Sequence, residues 1–161
     1  MDGKKFLKPG FIFCCCVLVV LALLAFSFTP PGIAKGAQKT VKVPATVPWY
    51  NTRLQVTAGQ VITIQASGRA STLKTAKGAQ SGPRGQKIKC GSVASAPPPC
   101  ALNYAKYGAL VGKIGGSPSF LIGKKLTFTA RTGGILYLSV NDNLRLYADN
   151  FGGYTVIVTL Q

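Results

Sequence analysis

The sequence contains no histidine and no glutamate, and it sets three aspartates against 19 lysines and arginines in 161 residues. Without histidine there is no Ser-His-Asp or Cys-His relay and no His-based zinc site. No GxxxxGK[ST] stretch is present to cradle phosphates. Cys90 and Cys100 lack the CxxC spacing of a thiol-redox centre. Nothing in the remaining residues points to a Ser–Lys or lone-aspartate centre. A binding protein that is not an enzyme is expected.

What is present is positive charge. The formal net charge is +16. Residues 1–34 hold three lysines and Asp2, so residues 35–161 keep 16 basic and two acidic side chains, a charge of +14. A field of this sign attracts anionic polymers, anionic lipid surfaces or nucleic acid. The basic residues are spread along the chain, which equally fits a solvated surface. Trp49 and the six tyrosines form no basic–aromatic alternation. No nucleic acid is expected as a partner.

The chain divides by composition. Residues 1–34 begin with Lys4, Lys5 and Lys8, continue as an uncharged 18-residue run from Phe11 to Phe28, and stop at Pro30-Pro31-Gly32. This follows secretory logic. The run is long for a signal peptide and short for a membrane span. Two readings stay open: a leader cut after Ala34, or a retained N-terminal anchor helix with the domain facing outward. The expected location is the cell envelope, or a secreted or periplasmic one if the leader is cleaved. Cys14, Cys15 and Cys16 sit early in the run and read as small apolar residues of a membrane segment. Cys90 and Cys100 form an even pair in an exported domain, which suggests a disulfide, with two buried thiols as the alternative.

After a linker at 35–43, residues 44–161 carry period-two patterns. VITIQA (61–66), LTFTA (126–130), ILYLSV (135–140) and YTVIVTL (154–160) alternate, with shorter strands at Leu54–Val56 and Ala109–Ile114. Gly- and Pro-bearing turns separate them, as in antiparallel sheets. The expected fold is all-β, an antiparallel sandwich of jelly-roll type. Residues 67–100 break the pattern. They are rich in Gly, Ser, Ala, Lys and Pro and hold no acid. Such a loop is either functional or a solvated insertion.

Both exported carboxylates, Asp142 and Asp149, fall in one window, NDNLRLYADN, with Asn141, Asn143 and Asn150. Hard cations such as Ca²⁺ take several oxygen ligands from carboxylates, amides and backbone carbonyls. This window is the one stretch able to supply them, although Asn and Asp also favour plain turns. Its spacing matches no EF-hand. Tyr147 and Phe151 stand near it as rings that could pack on a sugar or at a strand end.

Three stretches, GALVGKIGG (108–116), ILYLSVND (135–142) and YADNFGGYTVIV (147–158), together with PWYNTRLQVTAGQVITIQASGRAS (48–71), resemble the bacterial galactophilic lectins of the LecA type. The resemblance spans most of 44–161 and is weakest over 72–107. It implies a galactose-binding-like β-sandwich with a Ca²⁺ ion that coordinates sugar hydroxyls. It implies that Asp142 is the first acidic ligand. Asp149 and Asn150 match a paired Asn-Asn. Leu146 and Thr72 match two backbone-carbonyl positions. Asp142, Asn143, Tyr147 and Asp149 would then line the ligand. The family also uses a His and a Gln on the long loop. This chain has no His, so galactose specificity does not carry over. The expected function is calcium-dependent carbohydrate binding. The alternative is a cationic module that grips anionic surface polysaccharide without calcium.

Overall fold

A computed structural model describes residues 36–73, 80–91 and 99–161. The chain divides near residue 30, and every described residue belongs to the second unit, Pro31–Gln161. The leader helix expected within 1–34 lies outside the described residues. Among those residues no helix is long and apolar enough to cross a membrane.

Among the described residues nine strands form two antiparallel sheets. They are β1 (Gln38–Pro44), β2 (Tyr50–Val56), β3 (Val61–Ser71), β4 (Gln80–Ser81), β5 (Leu110–Ile114), β6 (Phe120–Leu121), β7 (Lys125–Thr129), β8 (Gly134–Val140) and β9 (Phe151–Leu160). The first sheet runs β1-β9-β3, and both β7 and β4 pair with β3 beyond that. The second runs β2-β8-β5-β6.

Alternation explains the layering. Side chains on a strand point to opposite faces in turn, so residues two apart share one face. In the first sheet Val41, Val43, Ile62, Ile64, Val156 and Val158 point inward. In the second, Leu54, Val56, Leu110, Leu136, Leu138 and Val140 meet them. All of these are almost fully buried. Phe120 and Phe128 close one side, their ring centroids 4.9 Å apart. Full burial of each aliphatic side chain stabilises the fold by about 1.5–3 kcal/mol.

Two boundaries differ from the sequence reading. Residues 35–43 are not a linker: most of them form β1, paired with β9 from Gln38↔Thr159 to Pro44↔Gly153. The strand was hard to read because its outward positions are Gln38, Thr40 and Lys42 and only two large apolar residues mark its inner face. Likewise residues 67–71 are not loop. They extend β3 to Ser71 opposite Phe151. Gly68 makes this possible, with φ +104 and a Cβ position only 2.9 Å from the Gly153 carbonyl oxygen. A side chain there would push the two strands apart.

Cys90 and Cys100 are joined as a disulfide, their Cα atoms 6.3 Å apart. One end of the closed loop is tied to the segment after β8. Cys100 bridges to Asn143, and the Leu144 N–H donates to the Pro99 carbonyl at 3.3 Å.

Candidate functional site

The connection from β8 to β9 spans residues 141–150, and it starts from a firm anchor. Asn141 is fully buried. Its amide donates to the Ala105 and Lys106 carbonyls at 3.2 and 3.1 Å, and its Oδ1 accepts the Leu102 N–H at 2.7 Å. Every polar atom of that side chain is used within the protein. Asn141 therefore organises the 101–108 loop.

Asn143 is held through its backbone N–H and its Oδ1. Its backbone N–H donates to Asp142 Oδ1 at 2.7 Å, and its own Oδ1 accepts the Arg145 N–H at 3.0 Å. This is an Asx-type turn that reverses the chain. The Leu146 N–H then donates to the Asn143 carbonyl at 2.9 Å. Leu146 itself is half exposed, and its carbonyl meets the Asp149 N–H at a long 3.4 Å.

A single 3-10 turn, Tyr147–Asp149, brings the chain back to β9. Tyr147 is 4% exposed and points into the protein. Its hydroxyl donates to the Val140 carbonyl at 2.7 Å and lies 2.7 Å from Ser139 Oγ. Burial pushes its phenol up to about 12, so the donor proton stays in place. A ring held this way has no free face for a sugar. Tyr147 pins the turn to the outer surface of β8. Phe151, at the first position of β9, is the partly exposed ring nearest in sequence.

Three oxygens remain. Asp142 Oδ2, Asp149 Oδ1 and Asn150 Oδ1 are buried and have no hydrogen-bond partner among the described residues. Asn150 is oriented by its other end: Nδ2 donates to the Ala45 carbonyl at 3.1 Å. That bond fixes which amide atom faces which way, so Oδ1 points away from Ala45. The three side chains are close to one another. The Asp142 carboxyl is raised from 3.8 to about 6, chiefly by burial and slightly by the nearby Asp149 charge, against the opposing pull of the Asn143 N–H and the Asn150 amide.

This arrangement is costly for a protein alone. A buried acceptor without a donor forfeits roughly 1–3 kcal/mol, and more for a charged one. Three acceptors in one ten-residue connection, two of them carboxylate oxygens, form a site that lacks positive charge. Among the described residues no three His, Cys, Asp or Glu side chains cluster. A cation here would rest on oxygen alone: two carboxylates, one amide and backbone carbonyls. That set suits a hard cation and disfavours zinc or copper.

Thr72 lies at the adjoining corner. The β3–β9 register sets Ser71 against Phe151, so Thr72 is the next residue beyond, at the Asn150 end. Its hydroxyl accepts from Gln86 Nε2 at 2.8 Å, which leaves its backbone carbonyl as the relevant group. Asp142, Leu146, Asp149, Asn150 and Thr72 thus belong to one end of the sandwich. Sequence reasoning did not find Ala45, which aims the Asn150 amide through a backbone carbonyl and has no side-chain signature.

Two facing antiparallel sheets, with the acid–amide connection at one end, form a β-sandwich. One comparison with a solved structure agrees. A solved structure described as an EclA N-terminal domain, a PllA-like lectin, is 25% identical, with a TM-score of 0.60 over 76% of this chain and 95% of that one. No family model matches the chain, and no curated protein is similar to it.

Proposed function

We propose that this chain is a carbohydrate-binding module whose glycan contact is organised by a calcium ion. Asp142, Asp149 and Asn150 would hold the ion through side-chain oxygens, and Leu146 and Thr72 through backbone carbonyls. The observation that carries the reading is the set of three buried, partnerless oxygens at Asp142, Asp149 and Asn150. The two carboxylates balance the charge of a divalent ion. A bound Ca²⁺, which accepts six to eight oxygen ligands, would offer its remaining positions to neighbouring sugar hydroxyls. The likeness to a lectin domain supports the same reading.

The protein's own residues do the preparatory work. Tyr147 pins the turn, Asn141 holds its first residue, and the Ala45 carbonyl aims Asn150. The ligands are thereby fixed before anything binds. The described end of the disulfide-closed loop, Pro99 and Cys100, is tied to Leu144 and Asn143 beside the site. The loop holds no histidine, so the sugar need not be galactose. The domain is proposed to act outside the cytoplasm, tethered or released according to the fate of residues 1–34.

The test is thermal unfolding of the full chain in EDTA and then in millimolar Ca²⁺, followed by a glycan array under both conditions. Free ion at a hundred times Kd adds about 2.7 kcal/mol to stability. An upward shift with Ca²⁺-dependent glycan binding is expected. No shift, with glycan binding indifferent to EDTA, would overturn the reading.

A further inference from the structure

The outer face of the first sheet carries a groove that the cation site leaves unused. It arises from how β3 shares its edge. β7 pairs with Val61–Gln65 and β4 pairs with Ala70–Ser71. Among the described residues no strand pairs with 66–69 on that edge. Three adjoining clefts run along the gap. The first, about 650 Å³, is bounded by Gln65, Ser67, Lys124, Lys125 and Arg84. The second, about 500 Å³, shares Ser67, Lys124 and Arg84 with it. The third, about 510 Å³, adjoins at Gly82 and is bounded by Arg69, Gln80, Lys87 and Lys106.

The walls therefore hold six cations: Arg69, Arg84, Lys87, Lys106, Lys124 and Lys125. They come from segments far apart in sequence, which is why no basic block marks them. No acid faces them, because both carboxylates of residues 35–161 sit in the 141–150 connection. A cleft lined by one sign of charge focuses its field and concentrates counter-ions. Along β3 from Gln65 to Arg69 the groove covers roughly 13 Å at about 3.3 Å per residue, long enough to span more than one unit of a polymer.

We infer that this groove binds an acidic polysaccharide, one bearing anionic groups along its backbone, without need of a divalent cation. The amides of Gln65 and Gln80 and the hydroxyl of Ser67 suit sugar hydroxyls between the charges. Single-stranded nucleic acid fits less well, since no aromatic ring lines any of the three clefts and bases would find no stacking platform. The inference stands apart from the calcium reading.

The experiment measures binding of the full chain to polygalacturonate in EDTA, with neutral dextran and a single-stranded oligonucleotide alongside. Arg84→Gln with Lys124→Gln is compared with Arg53→Gln and Arg131→Gln, an exposed pair outside the groove that removes the same charge. Lys87→Gln with Lys106→Gln tests the far end. The expected result is polygalacturonate binding that weakens as salt rises. Each groove pair should lower affinity about tenfold and the outside pair less than twofold. Equal losses in all pairs would mean diffuse charge attraction and overturn the groove. Tighter oligonucleotide binding, lost in the groove pairs, would overturn the choice of ligand. Because the assay contains EDTA, failure of the calcium site cannot imitate either result.

Discussion

Replacing Asp142 by asparagine separates a binding loop from an ordinary turn. In the metal-free protein the buried carboxylate is a burden. Its pKa of about 6, against 3.8 for the ordinary group, is a shift worth of order 3 kcal/mol against the charged form at neutral pH. Asparagine keeps the shape and keeps an Oδ1 for the Asn143 N–H. It also turns the partnerless Oδ2 into an NH₂ donor beside the two other partnerless acceptors, Asp149 Oδ1 and Asn150 Oδ1. Asp142→Asn should therefore stabilise the protein in EDTA by about 1–3 kcal/mol, since part of the relief is lost to imperfect geometry. For a domain of this size that is a rise of roughly 4–12 °C in Tm. The same change removes one of the two charges that would hold calcium, so the Ca²⁺-dependent rise should vanish. Unfolding curves of both proteins, each with EDTA and with Ca²⁺, give the four numbers needed. A variant less stable than the parent in EDTA that still gains stability from Ca²⁺ would refute both the electrostatic account and the assignment of the ligand.

Two further outcomes follow from the same contacts. Asp142 binds its proton more tightly folded than unfolded, so between about pH 4 and 6 the native state holds the extra proton. In EDTA, stability should fall as pH rises through that window and level off above it, and Asp142→Asn should flatten the profile; urea titrations from pH 4 to 7.5 read this directly. Tyr147→Phe deletes the hydroxyl shared by Ser139 and Val140 in a buried setting, and should cost about 1–2 kcal/mol. Because Tyr147 pins the turn before Asp149 and Asn150, Ca²⁺ affinity measured by calorimetry should also fall several-fold, whereas a ring that merely touched sugar would leave calcium binding unchanged.

Much of this architecture was legible because alternation is a local signal. VITIQA, ILYLSV and YTVIVTL each announce a buried face within seven residues, and each is a strand of the sandwich. The acid–amide window was legible for a different reason: with only two carboxylates in residues 35–161, their coincidence could be seen without a fold. Three things were not legible. β1 carries only Val41 and Val43 as its inward signal, and its strand character comes from pairing with β9, more than a hundred residues away. Tyr147 could be read as packing on a sugar or at a strand end, and whether a ring in a turn faces water or protein depends on a partner such as Ser139. The grouping of Arg69 with Lys124 depends on the gap between β4 and β7, a property of sheet edges that no stretch of sequence encodes.

The charge balance couples the two sites in a measurable way. A divalent cation about 15 Å from one unit charge in water is repelled by about 0.5 kcal/mol without salt. With 13 basic side chains among the described residues and two acidic ones within the site, the summed repulsion reaches several kcal/mol at low ionic strength. It fades once the Debye length falls to about 8 Å at physiological salt. The short-range pull of Asp142 and Asp149, being buried, is screened far less. Ca²⁺ affinity should therefore rise at least threefold between 10 and 150 mM tetramethylammonium chloride, although most acidic calcium sites weaken with salt. Acidic polysaccharide in the groove should respond in the opposite direction over the same range. Filling the groove with polyanion would also lower the field at the cation site, so each ligand should tighten the other by the same factor. Calorimetric Ca²⁺ titrations at the two salt concentrations decide the matter. A Ca²⁺ affinity that falls with salt would mean that the surrounding cations do not govern the site and that the two surfaces work independently.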